Sequence, residues 1–258
     1  MEKQCDSEKE FLKNYNSNKY KKPSVTADIV VLTVDDNNEL NILLIKRGAH
    51  PYKDHWAIPG GFLNVDEESI DETAKRELSE ETGITDADLR QLYTFGTPDR
   101  DPRMHVVSVA YTALIPKNKL KFAAGDDAGD AKLFKISFKC KDKLFFVNLD
   151  ENIAISEDDL AFDHAKVINM AIKRLRGRID YEPDAFSLLA DTRDFTIYEL
   201  KRIYESIKNT TIDKSNFRKM FIRDYVDTGK VVQNKRNRGT EKKPIASYRI
   251  VKNKLYED

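Results

Sequence analysis

Between Pro59 and Ile84 the chain reads PGGFLNVDEESIDETAKRELSEETGI, and its acids, arginine and glycines stand at spacings that could do chemistry. Glu77, Glu80 and Glu81 lie three and four residues apart. On a helix from Glu68 to Thr82 they share one face. Carboxylates crowded in this way repel one another, and a helix that only faced water would alternate its signs. A divalent cation among the acids resolves the crowding. Oxygen-only ligands suit Mg²⁺ or Mn²⁺, which keep several waters and draw in substrate phosphates. Arg76 follows Glu68 and Glu72 at steps of four, in the order the helix dipole favours, so either acid can brace it. Gly60 and Gly61 let the backbone come close to a ligand or metal because no Cβ intervenes. Gly83 suits the left-handed position that ends a helix. The competing reading is a surface helix rich in acids, and the agreement of glycines, arginine and acids weighs against it.

Strands must carry this helix. Val25 to Val34 and Leu40 to Lys46, separated by Asp35-Asp36-Asn37-Asn38, read as a hairpin. Trp56, the only tryptophan, leads into the glycines. It is either packed under the loop or a stacking platform, the first being favoured. Leu89 to Gly96 and His105 to Ile115 are further strands, with His105 structural. The charged loop between them offers Arg100 and Arg103, whose guanidinium forks match diphosphate oxygens. A surface salt-bridge loop explains them equally well. Phe122 to Asp130 is a Gly/Asp loop in which Asp126 or Asp127 could activate water, or simply form the turn. Ala131 to Ile136 is another strand, and Lys143 to Ile155 another hairpin. Leu160 to Leu175 has helical apolar spacing, with Asp163 as N-cap, Gly177 as stop and His164 as a packing or capping residue.

The 258 residues suffice for one large or two medium domains. Charged residues make up 34% and only two cysteines occur, Cys5 and Cys140, which excludes a disulfide framework and suits a reducing cytoplasm. No apolar run approaches a membrane span, and MEKQCDSEKEF lacks the apolar centre of a signal peptide, so no membrane partner is expected. Residues Met1 to Lys22 are a polar tail, with Glu10 to Tyr15 as a short helix or loosely ordered chain. The formal net charge of zero hides an asymmetry. From Thr196 to Asp258 there are 16 basic and 8 acidic side chains, net +8, leaving 28 basic against 36 acidic elsewhere.

That basic part reads as helix, turn, helix and hairpin. Thr196 and Glu199 form a capping box before Leu200, Ile203, Tyr204 and Ile207. Asp213 to Tyr225 places Phe217, Met220 and Phe221 inside, with Lys214, Arg218, Lys219 and Arg223 outside. Lys230 to Gln233 and Ile245 to Val251 flank a basic turn with Lys235, Arg236, Arg238, Lys242 and Lys243. This is the plan of a winged helix-turn-helix, whose wing meets phosphate or a minor groove of double-stranded DNA. A basic protein-interaction module is the alternative, and DNA is favoured.

The acidic stretch resembles the Nudix box, G-x5-E-x7-R-E-U-x-E-E-x-G-U with U a bulky apolar residue. The run from Arg76 to Ile84 matches at every fixed position, and seven residues separate Glu68 from Arg76. Six residues rather than five separate Gly61 from Glu68, a one-residue insertion in the loop. KRGAHPYKDHWAIPGGF, PDRDPRMHVVSVAYTAL, GDDAGDAKLF and AFDHAKVI resemble the ADP-ribose pyrophosphatase-like branch. Tyr181 through Arg249 resembles the C-terminal winged helix of Nudix-related transcriptional regulators. The resemblance implies an α+β fold, an αβα sandwich with a mixed sheet between helices, followed by a winged helix. The expected division is a tail at 1–22, a Nudix domain at 23–158, a connecting helix at 159–180 and a winged-helix domain at 181–258. The resemblance also implies that Glu77, Glu80, Glu81 and a Gly61 carbonyl hold the metal and that Arg76 orients the glutamates. Arg47, Gly61, Arg100 and Arg103 would bind substrate, and Asp127 would be a candidate catalytic base. The expected function is Mg²⁺-dependent cleavage of ADP-ribose or a related nucleoside diphosphate derivative. The alternative is an ADP-ribose-responsive regulator acting as a homodimer, with weak or no catalysis.

Overall fold

The computed structural model describes residues 8–120, 131–139, 143–240, 243–251 and 255. Asp127 and Lys242, with both cysteines, lie outside the described residues. An exposed helix α1 (Glu8–Asn14) precedes the first strand.

Strand β1 (Ser24–Val34) is the axis of a mixed sheet. Its side chains alternate between two interiors. Ala27, Ile29 and Val31 enter one apolar cluster, and Val30 and Leu32 enter the other. A strand covered on both faces reads as a near-continuous apolar run, hence the weak alternation of VTADIVVLTV. Strand β2 (Leu40–Lys46) returns after a turn in which the Asp35 carboxylate accepts the Glu39 N–H at 2.8 Å. Strand β3 (Trp56–Ala57) pairs with β2, and β4 (Gly60–Phe62) pairs with β1. β1 therefore changes partner along its length, with β4 beside Thr26 to Asp28 and β2 beside Leu32 to Val34.

Helix α2 (Ile70–Thr82) begins at Ser69, which shares a reciprocal capping box with Glu72, and ends at Gly83 with φ 72°. It starts two residues later than the sequence reading, so Glu68 is a loop residue. Its Ala74 and Leu78 pack on Ile29, Val31 and Tyr111. Strands β5 (Leu89–Phe95), β6 (Val106–Leu114), β7 (Lys132–Lys139), β8 (Lys143–Asn148) and β9 (Ile153–Ser156) complete the order β5-β6-β1-β2-β7-β8-β9, with β1 and β6 parallel. Trp56 is buried and meets Phe134 edge-on at 4.7 Å, a packing residue rather than a platform.

Helix α3 (His164–Arg178) covers the opposite face with Val167, Ile168, Ala171, Ile172 and Leu175. Asp163 occupies the N-cap position without a capping bond, and the helix runs through Gly177 to end at Arg178. Beyond it, α4 (Ile197–Lys208) has the expected Thr196–Glu199 box, and α5 (Lys214–Phe221) closes in a π-helical turn, Ile222–Val226. β10 (Val231–Gln233) pairs with β13 (Tyr248–Ile250), and β11 (Arg238–Thr240) pairs with β12 (Lys243–Ile245) to form the wing. The winged-helix interior is aromatic. Phe186 meets Tyr225 at 4.8 Å, and Phe221 meets Tyr248 at 5.1 Å.

The apolar cluster under α3 continues through Ile179 into Phe186, Leu200 and Phe221, so both parts of the chain share one interior. A polar node joins them as well. Asp184, with no solvent exposure, accepts from Arg90 of β5 at 2.7 Å and from Arg178 of α3 at 2.6 Å. Among the described residues no helix is long and apolar enough to cross a membrane.

Candidate functional site

The β4–α2 loop gathers the acids around one guanidinium. Arg76 takes Glu68 in a fork, Nε to Oε2 at 3.0 Å and Nη2 to Oε1 at 2.8 Å. Its Nη1 donates to Glu77 at 2.7 Å and to Glu80 at 3.0 Å, and Nη2 donates to the Phe62 carbonyl at 3.0 Å. The brace is thus a pair eight residues apart, from loop to helix, and Glu72 is spent on the Ser69 cap instead. Bidentate guanidinium–carboxylate pairing fixes direction as well as charge. It holds the Glu68 carboxyl down to about 2.

Glu81 lies apart from Arg76, and its Oε2 accepts the Gly60 N–H at 2.7 Å. Burial pushes its carboxyl up to about 8, with the charges of Glu77 and Asp28 adding and the Gly60 bond opposing. Burial also raises Glu77 against the pull of Arg76. Gly61 is packed so closely that a Cβ there would fall inside the Glu77 carboxylate. Gly61 is needed for the close approach of strand β4 to helix α2, and Gly60 for its approach to Ala27 and Asp28 of β1. Among the described residues the acids do not already form a closed group of three or more metal-ligating side chains. Glu77 and Glu80 are turned to Arg76, and Glu81 to Gly60. The donor set is nevertheless all oxygen, and burial disfavours the charged form of two of its carboxylates, Glu77 and Glu81. That chemistry fits a hard divalent cation.

The arginines of the sequence reading divide. Arg47 donates Nε to the Pro51 carbonyl at 3.0 Å, and its guanidinium lies 4.9 Å from the Phe162 ring centre. Burial lowers its pKa, and Arg103 lowers it further. Arg103 pairs with Asp101 at 2.8 Å and lies over the rings of Phe62 and Phe162 at 5.2 and 5.8 Å. These two cations converge beside the acid site. Arg100 does not join them. It is buried and holds Asp163 at 2.7 Å and Asp28 at 3.3 Å, an internal brace rather than a surface donor. Asp28 also accepts the Ser108 hydroxyl, and its backbone lies opposite Gly60 in the sheet. Asp163 is thereby drawn away from capping α3. His164 is a buried packing residue, with Nδ1 accepting the Ile58 N–H at 3.2 Å. Asp28, Tyr52 and Phe162 gained no notice as site residues in the sequence. No spacing rule marks them.

In the winged helix Lys214, Arg218 and Lys219 stand exposed on α5, opposite buried Phe217 and Phe221. Lys235, Arg236 and Lys243 are exposed on and before the wing. Arg238 differs from them. It pairs with Asp194 and Glu199, each at 2.8 Å, and so ties the wing to the start of α4 instead of offering its charge outward.

Comparisons with known proteins agree with this architecture. Residues 23–139 match the NUDIX domain, and residues 185–250 match the NrtR DNA-binding winged helix domain. The chain is 32% identical over 245 residues to the ADPR responsive transcriptional repressor NtrR of Acinetobacter baylyi, covering 95% of this chain and 88% of that one. It is 34% identical over 163 residues to the ADP-ribose pyrophosphatase of Methanocaldococcus jannaschii, covering 62% and 81%. The crystal structure of Shewanella oneidensis NrtR complexed with a 27mer DNA superposes with a TM-score of 0.66 at 27% identity, covering 90% of this chain and 95% of that one. An acid-bearing NUDIX sheet followed by a winged helix, matched along nearly the whole length of NtrR, places this chain in the Nudix-related NrtR family of two-domain regulators.

Proposed function

We propose that this chain is an ADP-ribose-responsive DNA-binding regulator. Its winged helix holds an operator, and its Nudix domain reads the nucleotide. The observation that carries the reading is the shared interior. A site with diphosphate chemistry lies on the same sheet and helix framework that packs directly on the winged helix. The names of the relatives, a repressor responsive to ADPR and a regulator crystallised on DNA, support the same assignment. Exposed Lys214, Arg218 and Lys219 on α5, with Lys235, Arg236 and Lys243 at the wing, supply the phosphate-facing charge. A homodimer on a two-fold operator is the assembly that this module type uses. The test is fluorescence anisotropy on DNA from upstream of the protein's own gene, with ADP-ribose titrated in. Release or tightening at micromolar ligand is expected. DNA affinity that is the same for random sequence, or indifferent to millimolar ADP-ribose, refutes the reading.

A second reading, retained hydrolysis, is favoured by one observation. Glu68, Arg76, Glu77, Glu80 and Glu81 are all present, four of them joined through Arg76 and Glu81 held by the Gly60 N–H. When bound by Glu77, Glu80 and Glu81, with Gly61 beside them, Mg²⁺ or Mn²⁺ would neutralise diphosphate oxygens and ease ionisation of a water. Arg47 and Arg103 would orient the phosphates. Release of AMP from ADP-ribose by the wild type, lost in Glu81→Gln, is the expected result. No AMP at any metal concentration removes this reading and leaves the first intact.

A further inference from the structure

Outside residues 196–258 the chain has 28 basic against 36 acidic side chains, so a surface cation there has acids to pair with. Lys117 takes Asp36 at 2.6 Å, and Lys135 takes Glu39 at 2.8 Å. One face of α3 departs from this. A shallow groove of about 840 Å³ runs along its solvent side, lined by Lys166, Lys173 and Arg174 of the helix, Lys143 of β8 and Tyr93 of β5. All four cations are exposed, and among the described residues none of them pairs with a carboxylate. Glu157, the acid that lines the groove, is engaged elsewhere. Its Oε1 accepts the Leu144 N–H and the Asn169 side-chain amide, each at 2.9 Å. A face that only met water would intersperse both signs.

The make-up of the groove indicates its partner. Its apolar content is small, Met170 and the half-exposed Tyr93. A protein partner needs aromatic or aliphatic anchors in well-packed pockets. A nucleic-acid backbone is held by spaced cations alone. Lys166 and Lys173 stand two helical turns apart, roughly 10 Å, which is about three base-pair steps along one strand of a duplex. The far end of α3 is also tied to the approach to α5. Arg176 donates Nε to the Ile207 carbonyl at 2.7 Å, and Lys208, the last residue of α4, reaches Asp180 at 2.6 Å. Exposed Lys214 opens α5 just beyond.

We infer that this face of α3 is a second phosphate-binding surface, on which Lys143, Lys166 and Lys173 hold duplex backbone beyond the reach of α5 and the wing. This rests on the DNA-binding reading above and extends it from the winged helix to the Nudix part. The part of the chain that carries the acid site then touches DNA itself.

Fluorescence anisotropy of the full chain across a salt titration tests this, on DNA from upstream of the protein's own gene. Lys166→Gln/Lys173→Gln removes two exposed charges and strands no partner, so the fold is not at risk. The salt slope should fall by about two per protomer, and affinity near 0.1 M salt should weaken about tenfold or more. Lys166→Arg/Lys173→Arg keeps both charges and should keep the wild-type slope. ADP-ribose affinity of both variants, read by isothermal titration, should stay within twofold of wild type. A slope that the glutamine pair leaves unchanged overturns the inference and leaves an acidic protein as the partner of this face. A loss shared by the arginine pair, or by ADP-ribose binding, also overturns it, because the face would then be structural. If the wild type binds no DNA, the regulator reading falls and the groove falls with it. Wild-type binding with an unaffected glutamine pair sinks the groove alone.

Discussion

Replacing Asp184 with asparagine tests how firmly the two parts of the molecule are joined. The carboxylate has no solvent exposure and accepts from Arg90 at 2.7 Å and Arg178 at 2.6 Å. Hydrogen bonds to charged groups contribute about 1.5–3 kcal/mol each, and removing one member of a buried ion pair costs roughly 3–5 kcal/mol. Two features pull the figure down. The arginine side chains keep 29% and 27% exposure and regain water, and Arg90 retains Asp88 at 3.4 Å. Asparagine also offers one amide oxygen as an acceptor, so a loss of about 3 kcal/mol is expected. In a chain of this size each kcal/mol moves the melting temperature by about 2–4 °C, so the drop should be about 6–12 °C. Circular dichroism melts and urea titrations of wild type and variant would read it. A shift below about 2 °C would show that the node carries little of the inter-domain stability, and the reasoning would fail.

Four further outcomes are expected. Gly61→Ala would drive a methyl group into the Glu77 carboxylate and displace it, lowering Mn²⁺ affinity by about tenfold in a direct titration; unaltered Mn²⁺ binding would speak against Glu77 as a ligand. In chelator, the Glu81 carboxyl titrates at about 8 when folded and at its ordinary 4.5 when unfolded. The unfolded chain binds fewer protons between those values, so stability is highest at the acid end and declines as pH rises to about 8. Glu81→Gln should flatten that decline in urea unfolding from pH 5 to 9, and a flat wild-type profile would contradict the assignment. Alanine at Lys214, Arg218 or Lys219 should each reduce the salt slope of DNA binding by about one. Arg238→Ala should instead lower the melting temperature and leave that slope unchanged, since its charge is already spent on Asp194 and Glu199.

What the sequence disclosed was local. Helix α2 was legible because its signals lie close together, the acids on one side and Gly83 at the end; its Ser69–Glu72 cap was missed, and Glu72 was read as a brace instead. The Thr196–Glu199 box announced α4 for the same reason. What stayed hidden has the opposite cause. Arg100 looked like a loop donor because Asp28 and Asp163, its actual partners, are 72 and 63 residues away. Arg238 looked like a wing contact because Asp194 is 44 residues upstream. The brace on Arg76 was anticipated, but by a helical repeat; the real geometry depends on Glu68 leaving the helix. Asp163 was a sound N-cap by residue type, and a long-range guanidinium outbid the backbone for its carboxylate. The left-handed conformations of Tyr52 and Phe162 are invisible in residue identity, because tertiary packing imposes them.

Helix α3 belongs to two interiors at once. Its early turns roof the sheet, and its last turn gives Arg178 to Asp184 and Ile179 to the aromatic cluster. Phe162 and Asp163 sit immediately before its first residue, one against the Tyr52 ring and the other on Arg100. A messenger molecule pressing on that end has no slack tether to swing. A displacement there would meet the same helix whose far end is packed on the winged helix.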